Sequence, residues 1–213
     1  MMPNLDFDAV LWDFGGVILS SPFEAFNDLE AARGLPRDTI RRINAANPDS
    51  NAWARFERSE IDLAGFDEAF AAEAEAVGAR LRGRDVIAVI HGAVRPAMVE
   101  ALDRVRRHYR TACLTNNVND NGAGAAYAAE VGAVMQRFDA VIESRRVGVR
   151  KPDPRFYEMA CEILQLDPRR AVYLDDLGIN LKPAKAMGMH TIKVTGADQA
   201  LAELEAVLGL TLR

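Results

Sequence analysis

Cysteine is scarce in this sequence. The 213 residues contain two, Cys113 and Cys161, and neither stands in a closely spaced pair of the kind that binds zinc. Two cysteines are also too few for the disulfide framework of a small secreted domain. We therefore expect buried free thiols in a reducing compartment.

Several other features are missing. Positive charge is not in excess, since the net charge is -5, which argues against broad binding of nucleic acid or of an anionic membrane. No apolar run approaches the ~18 residues of a membrane span, and the first residues lack the basic and apolar order of a signal peptide. A Gly-rich dinucleotide fingerprint and a Walker motif are absent. These absences favour a cytoplasmic protein with a small-molecule ligand.

Short apolar runs do occur, and helical patterns separate them. This alternation predicts an α/β fold with a Rossmann-like parallel sheet core. The predicted strands cover residues 9–12, 111–114, 140–142, 171–174 and 190–194. Apolar residues at helical spacing predict a helix after Pro96 and another near the end of the chain. Their stripes are Met98, Ala101, Leu102 and Val105, and Leu201, Leu204, Val207 and Leu208.

The segment 20–94 interrupts the alternation, because it has helical patterns and no convincing buried strand. We predict a core formed by residues 1–19 and 95–213 and a helical cap inserted at 20–94. Helical spacing and bulk predict a set of apolar residues inside the cap. They are Trp53, Phe56, Phe66, Phe70, Ala74 and Val77.

Polar residues follow four of the apolar runs. Ligands of open parallel sheets bind beyond the carboxyl ends of the strands, so these residues should meet in space. Taken singly, each has a structural explanation, such as a helix cap or a polar turn. Together they offer a nucleophile, a phosphate cradle, a cation and metal ligands. The four groups are Asp13-Phe14-Gly15-Gly16, Thr115-Asn116-Asn117, Arg150-Lys151-Pro152 and Asp175-Asp176.

In order and context these motifs resemble the haloacid dehalogenase superfamily of hydrolases, across essentially the whole chain. The matching segments are 10–17, 114–116, Lys151 before Pro152, and 174–176 with Asn180. The helical insertion and the segment 51–61 are similar to the branch that contains sugar-phosphate phosphatases and the N-terminal phosphatase domain of epoxide hydrolases.

The resemblance implies catalytic roles for Asp13, Thr115 and Lys151. Asp13 would attack phosphorus and form an aspartyl-phosphate. Thr115, through its hydroxyl, and Asn116, through its backbone N–H, would bind phosphoryl oxygens. Lys151 would neutralise Asp13 and the developing charge. The implied substrate is a small phosphorylated metabolite such as a sugar phosphate.

The resemblance also implies Mg²⁺ as the cofactor, because this ion prefers oxygen ligands. Asp13, the backbone carbonyl of Gly15 and Asp176 would bind it directly, and Asp175 would contribute from behind them or through water. Asn180 would either orient the carboxylates or Lys151, or make a plain structural hydrogen bond.

One position departs from the family. Most phosphatases of the family have a second Asp, the proton donor, two residues after the nucleophile, where this sequence has Gly15. Losing a positioned acid and base costs about 10²–10⁴ in rate. Three interpretations stay open: a phosphatase for substrates with good leaving groups or with another acid from the cap, a weak or inactive phospho-ligand or partner-binding protein, and a 2-haloacid dehalogenase.

Overall fold

Five parallel strands form one sheet. The computed structural model of the chain describes residues 6–118 and 124–213, so parts of the predicted core, 1–5 and 119–123, lie outside the described residues. The strand order is β3-β2-β1-β4-β5, which confirms the predicted α/β parallel sheet. The strands are β1 (Ala9–Trp12), β2 (Arg110–Thr115), β3 (Ala140–Glu143), β4 (Ala171–Asp175) and β5 (His190–Lys193).

The central strand β1 is paired with β2 on one side and with β4 on the other. At its end, Trp12 lies opposite Cys113 of β2 and Leu174 of β4. The residues that follow β1, β2 and β4 therefore emerge together at the carboxyl edge of the sheet.

Eleven α-helices occur in the described residues, and five of them lie within the segment 20–94. Those five are α1 (Phe23–Ala32), α2 (Thr39–Ala45), α3 (Ala52–Glu57), α4 (Leu63–Ala76) and α5 (Gly83–Ile87). The others are α6 (Pro96–Val105), α7 (Ala125–Met135), α8 (Ser144–Val147), α9 (Pro154–Leu164), α10 (Gly178–Ala186) and α11 (Ala197–Leu208). None of these helices combines the length and the apolar character needed to cross a membrane.

Helices cover both faces of the sheet. Alternate strand residues point to opposite faces, so each face packs against its own helices. Val10 and Trp12 pack with α6 and α11 in one apolar cluster, whereas Ala9 and Leu11 pack with α9 and α10 in another. The predicted stripe of α6 is fully buried, and that of α11 is buried except for half-buried Val207. The two predicted helices are thus confirmed.

A third apolar cluster is formed by residues of the five helices α1–α5. Phe56 stacks on Phe66 with ring centroids 4.7 Å apart, and Phe66 also contacts Phe70. The prediction for Val77 was wrong: its side chain is 57% exposed, because α4 ends at Ala76 and Val77 caps it. Of the two cysteines, Cys113 is buried and Cys161 is half-buried, and both are free.

The chain leaves and re-enters the sheet region at neighbouring points. Leu19 and Val94 form an isolated antiparallel bridge, and the N–H of Arg95 donates to the carbonyl of Ile18 at 2.9 Å. We propose that these two crossings bound the cap at 20–94, with 1–19 and 95–213 as the core. The separate apolar cluster of α1–α5 supports this division.

Candidate active site

The predicted polar residues meet at the carboxyl edge of the sheet. Asp13 directly follows β1, Thr115 ends β2 and Asp175 ends β4, and all three are buried. Carboxylate oxygens of Asp13, Asp175 and Asp176 lie within 4.8 Å of one another. Parallel pairing of β1 with β2 and β4 is what brings them together.

Lys151 lies between two of these carboxylates. Its ammonium Nζ is 2.8 Å from Asp13 Oδ1 and 2.8 Å from Asp175 Oδ2, and its side chain is 1% exposed. Burial by itself would lower the pKa of Lys151, but the charges of Asp13 and Asp175 outweigh burial and raise it above its ordinary value. Lys151 is therefore a permanent cation inside the site and not an exposed turn residue.

Asp13 is held at one oxygen. Its Oδ1 accepts from Lys151 and, at 2.6 Å, from the backbone N–H of Phe14, while Oδ2 has no hydrogen-bond donor within the described part of the chain. Burial raises the pKa of Asp13, and the neighbouring charge of Asp175 raises it further, against the effect of Lys151. The site is thus short of positive charge.

Asp175 is saturated with donors. Its Oδ1 accepts from the backbone N–H of Leu177 at 2.8 Å, and Asn180 Nδ2 lies 3.1 Å from both oxygens. Its Oδ2 also accepts from Lys151 and from the hydroxyl of Tyr173. These contacts fix Asp175 as the partner that orients Lys151. Asn180 takes part directly, so of its two predicted roles the geometry favours orientation.

Asp176 lies against the turn that follows Asp13. Gly16 has φ +75°, and a Cβ there would lie 2.2 Å from Asp176 Oδ2. Glycine is therefore required for this approach. Arg95 Nη1 donates to the carbonyl of Gly16 at 2.8 Å and so holds the turn. Burial, followed by the charge of Asp175, raises the pKa of Asp176 to about 6.

Gly15 lies in the same turn, two residues after Asp13. Its backbone angles, φ -67° and ψ 133°, suit any L-residue, and a Cβ there would meet nothing within 4 Å. Gly15 thus leaves an open position beside Asp13.

The Asn116 side chain binds the backbone of Lys151 at both polar groups. Its Oδ1 accepts from the Lys151 N–H at 2.8 Å, and its Nδ2 donates to the Lys151 carbonyl at 2.9 Å. The Thr115–Asn116 segment and Lys151 are therefore fixed relative to each other, next to Asp13.

Sequence reasoning assigned no role to four residues that contact this site or its neighbours. Tyr173 precedes Asp175 by two positions in a strand, so period-2 alternation would have placed both on one face. Glu57 lies in the segment 51–61, but no local sequence pattern indicates which residue its carboxylate would bind. The four residues are Glu57, Arg95, Arg150 and Tyr173.

Curated proteins with similar sequences include one from mouse called Acyl-CoA dehydrogenase family member 10. It is 34% identical over 96% of this chain, which spans 19% of that protein. Mouse Bifunctional epoxide hydrolase 2 is 33% identical over 93% of this chain and 38% of its own length. A Mycobacterium tuberculosis phosphatase is 28% identical over 92% of this chain and 90% of its own length. The chain thus spans much less than half of the first two relatives.

Solved structures with a similar fold include a haloacid dehalogenase family enzyme from Bacteroides thetaiotaomicron in complex with magnesium and inorganic phosphate. It has a TM-score of 0.66 at 18% identity and covers 93% of this chain and 98% of its own. L-2-haloacid dehalogenase from Xanthobacter autotrophicus has a TM-score of 0.61 at 19% identity, covering 94% of this chain and 82% of its own. These two likenesses show the fold.

A family model matches most of the chain. The model for hydrolases described as haloacid dehalogenase-like matches residues 7–188, a range that includes every candidate site residue. The chain belongs to the haloacid dehalogenase-like hydrolases.

Proposed function

We propose that the protein is a Mg²⁺-dependent phosphatase that hydrolyses a phosphoric monoester of a small metabolite through an aspartyl-phosphate on Asp13. The observation that carries this proposal is the group of buried Asp13, buried Asp175 and half-buried Asp176 around the ammonium of Lys151. Three carboxylates against one ammonium leave an excess of negative charge that a divalent cation would neutralise. The phosphatase relative and the neighbour with magnesium and phosphate support the same chemistry.

The donor set fits magnesium, because it consists of oxygen atoms. Asp13 and Asp176 would hold the ion together with the carbonyl of Gly15, whereas Asp175, whose oxygens already accept from protein donors, would act through water. When bound, the ion would screen the charges of nucleophile and phosphate and polarise the phosphoryl oxygens.

The chain's own residues would carry out the displacement. The Oδ2 oxygen of Asp13 forms a bond to phosphorus while the ester P–O bond breaks, and the leaving oxygen takes its proton from solvent. Thr115 and the backbone N–H of Asn116 bind phosphoryl oxygens, and Lys151 balances the charge. Water then attacks the aspartyl-phosphate, releasing inorganic phosphate and restoring Asp13.

Gly15 narrows the substrate class, because it offers no side chain to protonate a leaving group. We infer a preference for phosphates with good leaving groups, such as sugar 1-phosphates or acyl phosphates. We also propose a cytoplasmic location and a small phosphorylated metabolite as the partner. The free thiols agree with a reducing compartment, and the net charge of -5 agrees with a small-molecule ligand.

The decisive experiment measures phosphate release from a panel of phosphorylated metabolites with and without Mg²⁺. We expect turnover with Mg²⁺, none with EDTA, and a loss of at least about 10³-fold in Asp13→Asn, which removes the nucleophile. Activity on 2-haloacids in the presence of EDTA would instead identify a dehalogenase. Tight binding of phosphate esters without turnover would identify a phospho-ligand-binding protein.

A further inference from the structure

A buried carboxylate of the proposed cap faces the active site from α3. Glu57 is the last residue of α3, and it is 5% exposed. Charged side chains are rarely this buried without partners. The contacts of Glu57 therefore indicate what it is there to hold.

Three donors surround the Glu57 carboxylate. Oε1 accepts from the indole N–H of Trp53 at 2.9 Å, one helical turn earlier. Oε2 accepts from Nε of Arg150 and, at a longer 3.4 Å, from Nδ2 of Asn116. Trp53 fixes the direction of the carboxylate, so that its second oxygen is presented to the core.

The two residues of the core that bind Glu57, Arg150 and Asn116, are each connected to Lys151. Arg150 is the preceding residue, and it is tied to the cap a second time through the carbonyl of Pro48 at 3.0 Å. Asn116 binds the Lys151 N–H and carbonyl through its side-chain amide. A displacement of Glu57 would therefore be transmitted to Lys151 by two routes.

The same contacts exclude Glu57 as a replacement for the missing proton donor. Burial raises the pKa of Glu57 above its ordinary value, against the opposing effect of the Arg150 guanidinium. Both carboxylate oxygens, however, already accept from protein donors, so a proton on either oxygen would cost one of these contacts. Within the described residues, no hydrogen bond joins Glu57 to Asp13. Glu57 thus acts on the site through its neighbours.

We propose that Glu57 is a positioning residue through which the cap holds Lys151 and the Thr115–Asn116 segment in register with Asp13. The inference rests on the proposed phosphatase function. Helix α3 would then have two roles. Its apolar residues pack in the cap cluster, and its last residue, Glu57, fixes the geometry of the reacting groups.

The test compares Glu57→Gln with two controls on the same segment. Glu60→Gln removes a carboxylate that pairs with Arg58 at the surface, and Ser59→Ala removes a hydrogen bond to the carbonyl of Arg145, 3.1 Å away. For Glu57→Gln we expect kcat to fall about 10–100-fold, the usual loss when a supporting partner is removed, with a smaller change in KM. Both controls should stay within about twofold of wild type, and Glu57→Asp should regain part of the loss.

Hydrogen exchange followed by mass spectrometry provides a readout that needs no turnover. The amides of residues 115–118 and 148–151 should exchange faster in Glu57→Gln than in wild type or either control. If wild type hydrolyses nothing on the panel, the proposed function fails, and the exchange rates still decide the role of Glu57. If Glu57→Gln does not fold, Arg150→Lys, which keeps the charge but removes the Nε contact, carries the same expectation.

Unchanged kcat and unchanged exchange in a folded Glu57→Gln would overturn the proposal, even if thermal stability fell. Equal losses in Glu57→Gln and Ser59→Ala would also overturn it, because they would reflect cap docking in general.

Discussion

Two adjacent glycines in the turn after Asp13 have opposite tolerances for a side chain. Gly15 has an ordinary φ of -67° and open space at its Cβ position, whereas Gly16 combines φ +75° with direct contact to Asp176. We expect Gly15→Asp to fold with stability within about 0.5 kcal/mol of wild type, as at other open surface positions. Gly16→Ala should lose about 1–3 kcal/mol from the backbone conformation alone.

The activities of these two variants distinguish an effect on proton donation from an effect on metal binding. If the carboxylate of Gly15→Asp protonates the leaving group, hydrolysis of an alkyl phosphate should rise by up to about 10²-fold, with little change for p-nitrophenyl phosphate. Gly16→Ala should lower both rates, because it displaces Asp176. Urea unfolding and the two rates test the pair. Equal acceleration of both substrates by Gly15→Asp would contradict the idea that a missing proton donor limits the enzyme.

At the residue level, the sequence could place Asp13, Thr115, Lys151 and the two aspartates at the end of β4 along one edge, because the carboxyl ends of parallel strands meet at the same edge of a sheet. It could not reveal the orientation of the Asn116 amide towards the Lys151 backbone, nor the partners of Glu57. Those contacts depend on how α3 docks, which no local pattern encodes.

At the level of elements, Asp67 ties α4 to the segment that enters α5. Its carboxylate accepts from the backbone N–H of Arg84 at 3.0 Å and from the guanidinium groups of Arg84 and Arg82. The hydrogen bonds from Arg84, followed by those from Arg82, hold the pKa of Asp67 well below its usual range. The folded protein therefore favours the charged form.

This lowered pKa gives a pH-dependent stability. Since the folded pKa lies below the unfolded value of about 3.9, the contribution of Asp67 is present above that pH and is lost as the pH falls towards the folded pKa. Asp67→Asn should thus unfold at lower urea than wild type at pH 7, and the gap should narrow below about pH 4. The neighbouring exposed Glu68→Gln should show no such gap. A gap that stays constant down to pH 3 would exclude the charged pairing as its source.

The predicted strands were confirmed to within one residue at each end, because parallel strands covered on both faces have short apolar runs in the sequence. Short helices such as α5 and α8 have too few residues to show a period and were not predicted. The error at Val77 has a similar origin: helical spacing continues through the sequence there, but α4 ends one residue earlier.

At the scale of the whole molecule, the described residues contain three apolar clusters, two on the faces of the sheet and one among α1–α5. The sequence indicates an inserted cap because the alternation of strands and helices stops at residue 20 and resumes near 94, and the division into cap and core stays a prediction. It could not predict that Val118, which follows the Thr115–Asn116 segment, packs on the cap cluster. That contact joins the loop after β2 to the cap independently of Glu57.

If the cap is a separate cooperative unit, it can lose its structure while the sheet stays intact. Phe66 lies fully buried at the centre of the cap cluster, and Phe66→Ala should cost about 3–5 kcal/mol through lost burial and the remaining cavity. Hydrogen exchange should then lose protection in α1–α5 while β1 and β4 keep theirs. Leu102→Ala, in the cluster of α6, is the matched control and should weaken the sheet instead. Equal loss of protection in the helices and the strands of Phe66→Ala would mean that residues 20–94 and the sheet unfold together, and the proposed division into cap and core would fall.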